Sequence, residues 1–382
     1  MCRRYLYSFG VFQDYYTRIF LSNSSPSRIS WIGSLQLTMP YFLGAVSGKL
    51  FDAGYFHTVE ILGSTLFTFS LFMLSLAKPE KYYQVFLSQG IGMGLGLGFL
   101  FVPTLSILVH HFKHRKALAT GIALSGSSTG ALVFPIMLNH LIPTIGFGSA
   151  VRASAYIVLG LLVIGNLLVR STYDTIRTGN NDQVSIKGFF ADPPYMCAVF
   201  GGFLASIGLY FPVIYLQLYA IQHNIDPVLA FYSLAIVNGV GAIGRVAGNY
   251  FADNYGGYNV FIPVTLATSA TIFAIIGIQT SGALIVISVL YGLFSGAWLS
   301  LAMATLASLS RSPQEVGART GIALALSSFG ILGSSPIQGA LLSSHFTWNK
   351  PIIFAGTLMG ASAFTFIVTR TMLVKERGTQ KV

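Results

Sequence analysis

An arginine inside an apolar stretch is costly to bury, so chemistry is sought there first. Arg245 lies in the apolar run 227–250, about one turn before Gly248. Asn238 stands seven residues earlier, which on a helix returns to nearly the same face. An arginine facing a cavity can hold a carboxylate or another organic anion through two parallel hydrogen bonds. It can instead cap the ends of neighbouring helices or extend outward to water. Gln13, Asp14 and Tyr15 in one apolar stretch, and Tyr210, Tyr215 and Gln217 in another, add polar groups. Asp14 either carries a proton or sits at an interface near Arg18. Ser125, Ser127, Ser128, Ser327 and Ser328 either line a path or bond back to their own helices.

Two carboxylates end a duplicated motif. Gly48-Lys-Leu-Phe-Asp52 matches Gly248-Asn-Tyr-Phe-Ala-Asp253, with one residue inserted. Each aspartate can pair with basic residues or a helix N-terminus in one conformation and release it in another. That makes Asp52, Asp253, Gly48 and Gly248 gating candidates; the plain alternative is a solvated turn. The duplication is wider. Thr120-Gly-Ile-Ala-Leu124 recurs as Thr320-Gly-Ile-Ala-Leu324, followed by Ser127-Ser128 against Ser327-Ser328 and Gly130 against Gly330. Two matches in the same order at the same offset indicate a duplicated half.

Other motifs carry less. His110, His111 and His114 stand beside Lys113, Arg115 and Lys116 without a carboxylate or cysteine, which reads as a basic loop and not a metal site. Gly90, Gly92, Gly94, Gly96 and Gly98 imitate a dinucleotide fingerprint, but they lie within an apolar run, where glycine serves close helix packing. No acid pair, nucleophile–base set or phosphate loop supports an enzyme. No cofactor is expected, and proton coupling stays open.

The elements that position these residues follow from composition. Hydrophobic residues make up 53% and charged residues 9% of 382, against ~25% charged in soluble domains. Apolar runs recur without the alternation of a barrel strand, so the chain is an all-α membrane protein. Spans are expected at 4–21, 28–50, 57–77, 83–108, 117–142, 149–170, 193–220, 227–250, 258–279, 282–308, 316–342 and 350–373. They group as a six-helix half at 1–170, a polar linker at 171–192, a second half at 193–373 and a tail at 374–382. The first span is short and polar, and the repeat projects its start to before Met1, so a truncated first span is expected. No cleavable signal peptide is evident, and two cysteines make no disulfide framework.

The net charge of +11 is explained by loop asymmetry. Fifteen lysines and arginines fall in one set of loops and tails and six in the other, which puts both termini and the linker in the cytosol. The sequon at Asn23 then faces the opposite side, where glycosylation is a candidate, although it lies close to the membrane. The expected partners are lipid and a small-molecule substrate, without nucleic acid or an obligate protein partner.

Twelve spans, two six-helix halves and paired Gly-x-x-x-Asp turns resemble the major facilitator superfamily. More narrowly, Ser30-Trp31-Ile32, Gly92-x-Gly94-x-Gly96, Pro103 and the run from His111 through Gly121 to Gly126 resemble the monocarboxylate porter family, especially its fungal branch. The resemblance implies a parallel half-repeat, a substrate site near the bilayer midplane and alternating access. It also implies that Arg245 occupies the place of an eighth-span arginine that helps hold the substrate anion. Lactate carriers of the family have an aspartate where this chain has Gly241, and a first-span lysine where residues 5–21 have none. Proton-coupled lactate transport is therefore not expected. The resemblance implies export of a small organic acid or secondary metabolite at the plasma membrane, or alternatively a vacuolar or other internal membrane. The alternatives are a monocarboxylate or riboflavin importer, an inactive truncated transporter, or a sensor on the same fold.

Overall fold

The structure is a computed structural model that describes residues 9, 12, 15–24, 26–112, 115–169, 186–312, 315–342 and 347–382. Among these residues every regular element is helical. A π-helical turn at Tyr16–Phe20 precedes α1 (Pro26–Phe42), α2 (Gly44–Asp52) and α3 (Phe56–Ser75). Then α4 (Tyr82–Val85) passes through a π-helical turn, Phe86–Gly92, into α5 (Met93–His111). After these come α6 (Lys116–Ile145), α7 (Phe147–Leu168), α8 (Ile186–Phe190), α9 (Pro193–Leu209) and α10 (Phe211–Gln222). The last are α11 (Pro227–Tyr255), α12 (Gly257–Ala274), α13 (Ser281–Ser308), α14 (Val316–Leu342) and α15 (Asn349–Arg377).

Nine helical runs among the described residues are long and apolar enough to cross a bilayer. The three other expected spans fall on the first stretch, much of which lies outside the described residues, on α1 with α2, and on α6. Helix starts follow local chemistry. Asp226 caps α11 by accepting from the Val228 and Leu229 N–H groups, and Thr280 caps α13 by accepting from Ala283. Pro212 cannot donate a backbone hydrogen bond, and the helical run breaks just before it at Tyr210. The carbonyls near the break are taken by side chains. The Ile207 carbonyl accepts from Ser334 Oγ at 2.8 Å and Gln338 Nε2 at 2.6 Å, and the Leu209 carbonyl accepts from the Tyr291 hydroxyl.

The chain forms two compact units. One comprises Met1–Ile107, Thr129–Val184 and Ser312–Ala325; the other comprises Leu108–Ser128, Ser185–Arg311 and Leu326–Val382. The borders fall inside α5, α6 and α14, so each unit holds the opening turns of a helix whose remainder belongs to the other. The core of the first unit is rich in aromatics: Phe12, Tyr15, Tyr16 and Phe20 surround Phe147, with Phe20 and Phe147 centroids 4.5 Å apart. The short first stretch thus buries aromatic surface despite its polarity.

In the second unit, α11 and α13 approach closely through glycines. A Cβ on Gly296 would stand 2.4 Å from the Gly241 carbonyl oxygen. The tail also packs there. Gly378 takes a left-handed turn (φ 65°), and the chain folds back over the start of α12. Asn259 Nδ2 donates to the Gln380 carbonyl at 2.8 Å, Tyr258 N–H donates to the Val382 carbonyl at 2.9 Å, and Arg370 Nε donates to Asn259 Oδ1 at 2.5 Å.

Candidate functional site

Asp52 is the last residue of α2. Its carboxylate accepts from the Gly317 N–H at 3.0 Å and from the Ala318 N–H at 2.6 Å. Those N–H groups belong to the first turn of α14, which has no intrahelical acceptors and is the positive end of the helix. Gly48, one turn earlier, lets the two backbones meet: a Cβ there would lie 2.1 Å from the Gly317 carbonyl oxygen. Arg319 is buried in α14 and pairs with Glu315 at 3.2 Å. Burial pushes the Asp52 carboxyl up to about 7, against the Ala318 and Gly317 N–H groups that lower it, with Glu315 adding a further upward push.

The second unit repeats this contact. Asp253 accepts from the Ala117 N–H at 3.1 Å and the Leu118 N–H at 2.8 Å, in the first turn of α6. The donors stand at 117 and 118 in one unit and 317 and 318 in the other, the same spacing as the sequence repeat. The glycines differ. Gly248 faces α13, where a Cβ would lie 2.8 Å from Ala297 Cβ. The close approach to α6 is instead made at Gly121, where a Cβ would stand 2.5 Å from the Arg245 carbonyl oxygen.

Arg245 is 5% exposed, and its Nη1 donates to the Leu124 carbonyl of α6 at 2.7 Å. Asn249, one turn on, donates to the Arg245 carbonyl at 2.7 Å and to Ser300 Oγ at 2.6 Å, which ties α11 to α13. Asn238 donates back to Leu234 of its own helix at 2.9 Å, as Thr38 does to Ser34 at 2.8 Å in the other repeat. Tyr210 is buried at the α9–α10 break, and Tyr215 and Gln217 are half-buried on α10. Gln13 and Asp14 lie outside the described residues. Tyr15 stacks on Phe147 with ring planes 6° apart. Ser125 bonds back to the Ile122 carbonyl at 2.7 Å, and Ser327 and Ser328 are buried. Asn23 is exposed, with its N–H directed to Glu80 at 3.3 Å. Hydrogen bonds from Ser22 and Asn23 hold the Glu80 carboxyl below its ordinary range. No group of three or more potential metal ligands occurs among the described residues.

Two polar pairs escape sequence reading. Glu60, inside α3, accepts from Thr104 Oγ1 at 3.3–3.4 Å. It was legible by the rule that singles out Arg245, since an acid within an apolar helix is costly. Tyr16 donates to Gln89, in the π-helical turn before α5, at 2.6 Å, and no sequence signal marks that pairing.

Comparison with known proteins places this geometry. The model of the Major Facilitator Superfamily matches residues 6–282. The chain is 35% identical over 364 residues to the MFS-type transporter dbaD of Emericella nidulans, covering 94% of this chain and 81% of that protein. It is 36% identical over 357 residues to the aspyridones efflux protein apdF of the same organism, covering 93% and 72%. Among solved structures it matches the E. coli fucose:proton symporter FucP with a TM-score of 0.75 at 13% identity, covering 96% of this chain and 97% of that one. A bacterial homologue of the iron transporter ferroportin, in an outward-facing state, matches with a TM-score of 0.68 at 12% identity, covering 97% and 98%. The duplicated aspartate contacts therefore sit in a fold shared with membrane transporters, and by sequence the chain belongs to the Major Facilitator Superfamily.

Proposed function

We propose that this transporter exports a small organic acid or acidic secondary metabolite by alternating access, within the fungal branch of the monocarboxylate porter family. The carrying observation is the pair of aspartate clamps. Each joins the end of a helix in one sequence repeat to the start of a helix in the other. Such contacts are suited to close one face of a transporter and to release when it turns over. Export is favoured over import because a curated relative covering most of the chain is named as an aspyridones efflux protein. Arg245 is the proposed anion contact. In this conformation it donates to the Leu124 carbonyl; during turnover it exchanges that carbonyl for the substrate's carboxylate. Asn238, Tyr210, Tyr215, Gln217 and Gln13 are proposed as lining groups, the membrane as the plasma membrane, and both termini as cytosolic.

The test is metabolite profiling of cells and medium with and without the gene. Retention of one acidic metabolite inside the deletion strain is expected. An unchanged interior, with slower loss of a carboxylate or vitamin from the medium, would establish the importer instead. In the complemented strain, Arg245→Ala should keep normal membrane levels and lose export at least tenfold. Unchanged export would remove Arg245 from the site.

A further inference from the structure

Gln36 buries a whole side-chain amide that packing alone leaves unexplained. It lies in α1, 1% exposed, and neither Oε1 nor Nε2 has a hydrogen-bond partner among the described residues. A primary amide offers two donors and an acceptor with two lone pairs, and burying them unpaired is expensive. Nearby polar groups do not share this condition. Thr38, two residues on, donates to the Ser34 carbonyl at 2.8 Å, and the amide of Gln89 accepts from Tyr16 at 2.6 Å. A leucine or methionine would fill the same volume without the cost.

Its position is informative. Ten residues of helix separate it from Pro26, roughly 15 Å along the axis, about half the ~30 Å thickness of a hydrocarbon core. Three elements of the first unit converge there. Gly33, nearly one turn earlier on α1, is pressed against the Phe9 ring of the first stretch. A Cβ on Gly94 of α5 would lie 3.7 Å from Gln36 Cα. Just before α5 comes the π-helical turn Phe86–Gly92, a distortion found frequently at functional sites. A buried polar side chain left without a partner in a transporter is a candidate recognition group.

We infer that Gln36 recognises the substrate by pairing with an uncharged group that presents a donor and an acceptor side by side. Carboxamides, lactams and protonated carboxylic acids share that pattern, and a primary amide matches it with two hydrogen bonds. This rests on the transporter reading and adds to it a specificity residue.

The test separates recognition from structure through Gln36→Met and Gln36→Asn in the full-length chain. Thermal unfolding of the purified protein in detergent is read alongside export of the metabolite retained by the deletion strain. Gln36→Met should unfold at the same temperature or higher, because two unpaired polar atoms are gone. It should also lose export at least tenfold and lose the thermal shift that the retained metabolite gives the unsubstituted protein. Gln36→Asn, which keeps the amide, should recover part of both. Undiminished export by Gln36→Met overturns the inference, and so does a lower unfolding temperature, which would mean the amide is bonded within the fold. If the deletion strain retains no metabolite, the export reading itself falls. Gln36 is then tested by the same stability comparison with uptake of the vitamin or carboxylate that remains in the medium, and normal uptake by Gln36→Met overturns it.

Discussion

Asp52 has an ionisation set by its burial, and this gives its clamp a pH dependence. With the contact made, the carboxyl is pushed up to about 7; in a solvated turn an aspartate titrates near ~4. The closed contact therefore binds a proton that the open one releases, so acid favours closure. The sign is that of an acid raised by burial: the contribution is full below the solvated value and is lost as pH rises through about 7. A cysteine at Ala318 should thus label faster as pH increases from about 6 to 8. The Asp52→Asn protein serves as the reference, since its clamp carries no such proton and its labelling cancels the titration of the thiol. A ratio flat with pH would show that Asp52 does not govern the contact. Both aspartates were legible in the sequence because the motif is duplicated and a helix N-terminus is a natural partner for a carboxylate. Glu315 and Arg319 were not, because their significance comes from burial at the clamp, which spacing alone does not reveal.

At the scale of elements, the two clamps are built from different close approaches, so matching substitutions should act differently. An alanine at Gly48 would drive its Cβ into the Gly317 backbone, which cannot rotate away, whereas an alanine at Gly248 meets the Ala297 methyl group of α13. Gly48→Ala should cost the α2–α14 contact ~1–3 kcal/mol and speed labelling at position 318. Gly248→Ala should leave that position unchanged and lower the unfolding temperature. The folded-back tail gives a further expectation. Val382 is buried, and Asn259, Tyr258 and Arg370 bind the returning chain. Removal of residues 378–382 should lower the unfolding temperature by about 2 °C or more, and Asn259→Ala should reproduce much of that loss. Equal unfolding temperatures would mean the tail adds nothing to the unit. Hydropathy located the long helices well, since 227–250 was expected and Pro227–Tyr255 is found. It did not show the breaks at Leu43 and Tyr210, because apolar residues flank both breaks and hydropathy averages across a kink.

At the scale of the whole molecule, the repeat was the most legible feature, and what remained hidden was the exchange of helix openings. The first turns of α14 count with the first unit and those of α6 with the second, a consequence of packing between residues 265 apart in one clamp and 136 apart in the other. Charge placement adds a prediction of orientation. Lys49, Arg115, Arg311, Arg319, Arg370, Lys375 and Arg377 all lie near the helix ends that carry the two clamps, the α13–α14 connection or the tail. Positive charge near span ends is retained in the cytosol, so the clamps should face the cytosol together with the tail. An epitope placed after Val382 should then resist protease added to intact cells and be cleaved once the membrane is opened. Asn23 belongs to the opposite face, but the turn that carries it is held by Ser22 and Asn23 donating to Glu80. It should therefore remain unglycosylated in wild-type chains, while Glu80→Ala, which frees the turn, should permit a glycosidase-sensitive mass shift. A cleavable tail on intact cells would reverse the orientation and assign the clamps to the outer face.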